Sequence, residues 1–115
     1  MVPHHQIGEI PLPLRKVVAA FDGMYEYIEV YGEDRVLAVI NMEMLLIFVG
    51  TRYISTAPII RLPNGYYTFG ESLNVILESE VERIDGEVFF LLRYFSAAFD
   101  VSFEATGNVI ELALR

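Results

Sequence analysis

The stretch EVFFLLRYFSAAFDVSFEATGNVIELAL, residues 87–114, predicts the fold because its periodicity changes twice. Residues 88–91 form a short apolar run, and apolar residues then recur every three to four positions across residues 92–99, which is the spacing of one helical face. Residues 101–105 alternate between apolar and polar side chains, as in a strand with one solvent-exposed face, and Thr106-Gly107-Asn108 favours a turn into a last strand. The stretch therefore predicts the order strand, helix, strand, strand.

A second copy of this unit occurs near the start of the chain. When residues 8–26 are aligned without a gap to residues 86–104, nine of the nineteen positions are identical, whereas ordinary composition gives roughly one. After a short insertion, Val36–Ile40 aligns with Val109–Ala113. We interpret the match as an internal repeat, with chance or convergent helix chemistry as the alternative.

The residues between the two units predict hairpins and one short helix. Asn64-Gly65 and Asp85-Gly86 are strong hairpin signals, because both turn positions favour residues that accept a positive φ. They join residues 59–62 to 66–69 and residues 79–84 to 87–91, and residues 70–77 between these hairpins have the spacing of a helix.

The predicted architecture is a single α+β domain at residues 8–115, preceded by a flexible arm at residues 1–7. It consists of a meandering antiparallel sheet with three helices packed on one face. Residues 8–40 and 86–114 are the two related repeat units, which we expect to lie about an approximate dyad with their helices in one core. Residues 41–85 contain the hairpins and the short helix.

Composition excludes several classes of function. The chain has 115 residues, of which 54% are hydrophobic and 21% charged, enough for one domain with a core. It has no cysteine, which rules out disulfides, zinc knuckles and thiol nucleophiles. A net charge of −8 with scattered cations disfavours nucleic acid and anionic membranes as partners.

No segment of the sequence predicts a membrane span or a signal peptide. Residues 36–51 lack basic residues, but they contain Glu43 and are shorter than the roughly twenty apolar residues that cross a bilayer. Two buried strands joined near Asn41–Glu43 fit this segment better. The first ten residues lack the cationic start and apolar run of a signal peptide, so a signal for export would lie outside this sequence.

Arg15 and Arg93 stand in the first turn of each predicted helix, where the helix dipole disfavours a cation. They could grip the carboxylate of a ligand. We favour internal ion pairs instead, and the acidic neighbours Glu9 and Glu87 are the expected partners.

Two groups of carboxylates are candidate sites. Glu78, Glu80 and Glu82 alternate along a predicted strand and could hold a hard cation, but a solvated strand face explains them without a calcium-loop spacing. Asp22 and Asp100 could form an acid/base pair. Because they follow both helices, we expect them to make local hydrogen bonds at the helix exits.

The remaining candidates are imidazole and aromatic side chains. His4 and His5, the only histidines, form a weak metal site without a third ligand and are better explained as part of a solvated tail. Tyr25, Tyr27 and Tyr31 lie on one side of a predicted strand and could stack on sugar rings or on a partner protein. The repeat aligns Tyr25 with an inward-facing phenylalanine, which favours a core role for Tyr25 and Tyr27.

Several motifs together resemble the copper amine oxidase N-terminal-like domain, or stalk domain, of bacterial surface proteins. The similar segments are Met44–Gly50, Ala57-Pro58-Ile59, Asn64-Gly65, Val88–Phe99, Val101–Leu114 and, in the first unit, Pro13-Leu14-Arg15. Residues 41–115 cover one copy, and residues 8–40 resemble the latter half of another. The chain departs from the family at Asp22 and Asp100, where glycine is common, and at Leu91, where proline is usual.

The resemblance implies an antiparallel sheet with helices on one face, an extracellular or cell-surface location, and a non-catalytic binding or spacer role beside cell-wall modules. It implies neither copper nor amine oxidation, and we expect no cofactor and no catalytic residue. The expected partners are a cell-wall glycan, another protein domain or a second copy of the chain, and the sequence itself does not exclude a cytoplasmic location. An acidic interaction or inhibitor protein is the alternative function, favoured if Glu78, Glu80, Glu82, Glu33 and Asp34 cluster on one face; a small hydrolase is a weaker alternative.

Overall fold

Antiparallel strands make up most of the computed structural model, which describes residues 7–107 and 109–115. The elements within these residues are β1 (Pro11–Pro13), α1 (Leu14–Ala20), β2 (Met24–Val30), β3 (Glu33–Ile40), β4 (Glu43–Phe48), β5 (Tyr53–Arg61), β6 (Tyr67–Phe69), β7 (Leu73–Ile76), β8 (Arg83–Ile84), β9 (Glu87–Leu91), α2 (Leu92–Phe99), β10 (Val101–Thr106) and β11 (Val109–Leu114). The fold is therefore mostly β.

This architecture contradicts the predicted α+β class with three helices on one face. Over the described ranges there are two short helices, and the third predicted helix, at residues 70–77, is wrong because its centre forms β7. Leu73 and Ile76 are three residues apart, as on a helical face, yet both side chains are exposed. With no core surface to cover them, the segment instead pairs with residues 53–56 of β5.

The largest sheet runs in the order β2-β3-β4-β5-β6, and β5 is its longest strand. One edge of β5 pairs with β4, while its other edge pairs with β7 over its first half and with β6 over its second half. Gly70 joins β6 to β7 and passes Pro58 closely, since a Cβ atom there would lie 2.6 Å from the Pro58 ring. A glycine at this point lets two strands share one edge.

The strands β3 and β4 confirm the prediction for residues 36–51. They pair through a tight turn in which Asn41 and Met42 both have positive φ, at 48° and 65°. In the described part of the chain, neither helix is long and apolar enough to cross a membrane.

A second sheet, β1-β9-β8, joins the two repeat units directly. Leu12 of β1 lies opposite Phe90 of β9, with Pro11 opposite Leu91 and Pro13 opposite Phe89. In the repeat alignment, residues 11–13 correspond to residues 89–91, so exchanging the two units reproduces the same set of pairs. The two units therefore meet about an approximate two-fold axis that passes between Leu12 and Phe90.

Both units have the predicted element order, strand, helix, strand, strand, but the sequence alignment of their last strands is off by one residue. Met24 pairs with Val39 in the first hairpin, and its equivalent Ser102 pairs with Ala113 in the second, so Ala113 corresponds to Val39. The sequence alignment had placed it at Ile40. An alignment that is shifted by one residue matches side chains from opposite faces of the two strands. In the structural alignment, the half-buried positions of β11 match buried positions of β3.

An aspartate in the left-handed region follows each helix within two residues, with φ of 55° at Asp22 and 53° at Asp100. A glycine that follows a helix commonly takes this conformation, but Gly23 does not. Gly23 is needed for a different reason, because a Cβ atom there would lie 2.3 Å from the carbonyl oxygen of Val39.

The core lies where the two helices and the β1-β9-β8 sheet meet the inner face of the large sheet. Phe90, beside the approximate axis, is 1% exposed, and its ring centroid lies 5.3 Å from Tyr94 and 5.1 Å from Phe95. No polar or charged side chain is buried anywhere in residues 7–107 and 109–115. Apolar packing about the axis therefore stabilises the fold.

Replacing Phe90 with alanine should lower the free energy of unfolding by about 3–5 kcal/mol, because the substitution leaves a cavity between the two units. The matched control is Phe69→Ala, which truncates an exposed phenylalanine and should change the free energy much less. Urea unfolding followed by circular dichroism measures both. Equal losses in the two variants would contradict the central position of Phe90.

Candidate interaction surface

The two arginines of the repeat form ion pairs between the units, as predicted. The Arg15 Nη2 atom lies 2.5 Å from Oε1 of Glu87, and the Arg93 Nε atom lies 2.9 Å from Oε1 of Glu9. Each arginine thus contacts the glutamate of the opposite unit. The two pairs are related by the same approximate axis, and both are contacts between the units.

Arg93 has a second acidic partner. Its Nη2 atom donates to Oε2 of Glu78 at 3.0 Å, which raises the pKa of Arg93, and its guanidinium lies 4.8 Å from the ring centre of Tyr94. The Glu9 oxygen lies off the N–H direction of Nε, so that contact is an ion pair and not an aligned hydrogen bond. The guanidinium therefore links the start of α2 to Glu9, which precedes β1, and to Glu78, which lies between β7 and β8.

The carboxylates proposed as a cation site are not arranged as one. Residues 77–82 form no strand, so the predicted alternation of Glu78, Glu80 and Glu82 along a strand is wrong. Across the residues that the structure describes, no three acidic or histidine side chains form a group that could hold a metal ion. His4 and His5 lie outside the described residues.

The ion pair with Arg15 changes the pKa of Glu87. The hydrogen bond from Arg15 lowers the pKa of Glu87, and the same contact raises the pKa of Arg15. A carboxylate with a lowered pKa stabilises the folded state above its ordinary pKa of about 4.3, and this stabilisation is lost as the pH falls through the lowered value.

The Glu87→Gln variant should therefore be less stable than the wild type at pH 7, and the difference should shrink as the pH is lowered below about 4. Urea unfolding of both proteins at a series of pH values measures it. Glu80→Gln is the control, since Glu80 makes no ion pair with any described residue. A difference that persists unchanged in acid would show that Glu87 acts through packing instead.

Of the two aspartates at the helix exits, Asp22 makes the expected local hydrogen bond, through its backbone, and Asp100 contacts Arg115 beyond the last strand. The backbone N–H of Asp22 donates to the carbonyl of Ala19, and the carbonyl of Asp100 accepts from the N–H of Arg115. Asp100 also lies 3.6 Å from the Arg115 guanidinium. These contacts agree with a structural role at the helix exits.

Tyr25 and Tyr27 of β2 lie against the core, as predicted, and Tyr31 follows the strand. Tyr25 and Tyr27 are half-buried against the core, where burial raises the pKa of both, and Tyr31 is fully exposed. The hydroxyl of Tyr27 donates to Asp34 at 2.6 Å, and Arg83 lies over its ring. Tyr25 and Tyr27 therefore do not form an open stacking platform.

Three of the five carboxylates predicted to mark an acidic surface are engaged by neighbours. Asp34 accepts from Tyr27, Glu33 pairs with Arg35, and Glu78 pairs with Arg93. Their charges are partly balanced within the chain, which weakens the acidic-surface alternative.

The sequence interpretation missed an apolar depression on the outer face of the large sheet, which we call the outer hollow. It has a volume of about 330 Å³ and is lined by Met24, Val39, Met42, Ile59, Tyr67, Thr68 and Phe69. Strand pairing produces it: Met24 is opposite Val39, Ile59 is opposite Phe69, and the β3–β4 turn places Met42 beside them. The hollow lies on the face opposite the core, because Val39 alternates with the buried Ala38 and Ile40.

A sequence signal for the outer hollow does exist. Residues 36–40 and 44–48 are apolar at every position, a pattern typical of strands that are covered on both faces. Among the residues that the structure describes, only the inner face is covered by other elements. The outer face leaves Tyr67 and Phe69 each 60% exposed, beside the exposed methionines Met24 and Met42.

Comparisons of the chain with protein-family models, curated proteins and solved structures found no match. The geometry of the chain itself therefore carries the functional argument.

Proposed function

We propose that this chain is a non-catalytic binding or spacer module of an exported or cell-surface bacterial protein, and that it binds another protein domain through the outer hollow. The observation that carries the proposal is the exposed apolar lining of the hollow. Its volume lies within the range of about 300–1,000 Å³ typical of binding sites. The exported location rests on the resemblance to the stalk domain family.

The side chains of the hollow favour a protein partner. Aromatic side chains and methionine are enriched at protein interfaces, and the flexible thioether of methionine adapts to different apolar partners. Met24, Met42, Tyr67 and Phe69 supply both types on one surface. A depression of this kind fits a large apolar anchor residue, which commonly dominates the energy of an interface.

A cell-wall glycan fits the hollow less well. Sugars present hydroxyl groups, and a site that binds them through polar contacts needs several donors and acceptors. The side chains that line the hollow contribute two hydroxyls, on Thr68 and Tyr67, and no charge. We therefore favour the protein partner over the glycan.

Two of the segments that resemble the stalk domain family help to form the hollow. Ala57-Pro58-Ile59 belongs to β5, and Ile59 lines the hollow. Asn64-Gly65 forms the turn between β5 and β6, in which Gly65 has a φ of 88°. These segments position two walls of the hollow.

The test is selection of binders from a random peptide library on the purified chain. We expect the enriched peptides to share a large apolar residue and to bind at least about tenfold more weakly to Tyr67→Ser, a loss of about 1.4 kcal/mol. Tyr66→Ser is the matched control, because Tyr66 is the adjacent tyrosine, is 72% exposed and does not line the hollow.

Equal binding of the peptides to the two variants would contradict the proposal. Co-sedimentation of the wild type with purified peptidoglycan that is unaffected by Tyr67→Ser would favour the glycan at another surface. Circular dichroism confirms that both variants are folded.

A further inference from the structure

The two repeat units differ at one strand edge. In the first unit, β3 is hydrogen-bonded on both sides, to β2 and to β4. Its counterpart β11 pairs with β10 alone among the residues that the structure describes. The second unit therefore presents an open edge at the position where β4 lies in the first.

The backbone groups on this edge can be identified from one hydrogen bond. The N–H of Arg115 donates to the carbonyl of Asp100, which continues the β10–β11 register. Because the direction of backbone groups alternates along an antiparallel strand, Glu111 and Ala113 also face β10. The N–H and C=O groups of Ile110, Leu112 and Leu114 consequently point away from the hairpin and can pair with another strand.

The side chains of this edge are less buried than their counterparts in the first unit. Ile110 and Leu112 are half-buried and Leu114 is 41% exposed. Their counterparts in the first unit are Val36, Ala38 and Ile40, which are all fully buried, with β4 beside them. A two-stranded hairpin is marginally stable in water by itself, and a third strand with apolar contacts stabilises it.

We propose that β11 of a second copy of this chain occupies the edge, so that two hairpins form one four-stranded antiparallel sheet about a two-fold axis at Leu112. In this register Ile110 is opposite Leu114 of the other copy, and Leu112 is opposite its own counterpart. The apolar row of each strand thus meets an apolar row. Such pairing of an exposed edge strand is the usual way in which strands from two chains associate.

Overlap and charge together favour this register. Shifting the axis to Glu111 would place two glutamates directly opposite each other, which is destabilising. With the axis at Leu112, Glu111 is opposite Ala113 of the second copy, and all of the residues from Val109 to Arg115 find a partner. The strand is therefore complementary to itself in the register with the greatest overlap.

The absence of cysteine from the chain allows a direct test of the register. Glu111 and Ala113 of the second copy would be a non-hydrogen-bonded pair with Cα atoms about 4.5 Å apart, within the disulfide range of about 4.4–6.8 Å. A mixture of the Glu111→Cys and Ala113→Cys chains should therefore form a covalent dimer on mild oxidation. Each variant alone should form much less, because the diagonal separation is about 7–8 Å.

The matched control is a mixture of Ser102→Cys and Glu104→Cys chains, which carries the cysteines on β10, away from the open edge. Cross-linking in this control equal to that of the β11 mixture would overturn the proposal. So would the absence of any covalent dimer in the β11 mixture.

Sedimentation equilibrium of the unmodified chain gives an independent measurement. The mass should rise with protein concentration from 13.1 kDa toward twice that value, and Ile110→Pro should prevent the rise, since proline removes an outward donor and is tolerated at an edge. Tyr67→Ser should leave the dimer unchanged, which separates this proposal from the proposed function. A wild type that stays monomeric at every concentration overturns the proposal and makes a strand from a different protein the better occupant.

Discussion

The antiparallel pairing of β1 with β9 is the contact on which the rest of the structure depends. It brings the two repeat units together at Leu12 and Phe90, sets the approximate two-fold axis, and places both helices against one core. The ion pairs of Arg15 and Arg93 follow from the same pairing, because each helix begins directly after its strand and so presents its first turn to the opposite unit. A short ladder of three residue pairs thus orients two hairpins, two helices and two guanidinium groups.

In the part of the chain that the structure describes, residues 41–85, between the two units, have no counterpart after the second unit and so break the approximate two-fold symmetry. Strands β4 to β7 extend the hairpin of the first unit into a large sheet, and the hairpin of the second unit stays two-stranded. One consequence is a broad outer face with an apolar depression, and another is that β11 pairs with β10 alone among the residues that the structure describes. Both surfaces on which functional proposals rest therefore arise where the two units differ and not where they agree.

The sequence predicted the repeat order, the β3 and β4 strands and the partners of Arg15 and Arg93, because these depend on local periodicity and on charge pairs within aligned segments. It failed at residues 70–77, where Leu73 and Ile76 have helical spacing but the free edge of β5 offered backbone hydrogen bonds that a single-sequence pattern does not reveal. The alignment of the last strands was off by one residue, since identity falls away after Glu26 and only the ladder register determines the face. The outer hollow was missed because a continuous apolar run is typical of a strand covered on both faces. The run does not show that one of the two faces is left exposed.

The residues at the axis of the β1–β9 ladder show what joining two like units in one polypeptide allows. Two identical chains that meet across an exact two-fold axis place the same side chain on each side of it. A substitution at that position therefore changes the packed volume on both sides at once. Here a leucine faces a phenylalanine, and a proline-containing segment faces an aromatic one. Because the two halves belong to one chain, they can differ: one supplies a stiff backbone with few donors, and the other supplies the aromatic side chain that fills the centre of the molecule.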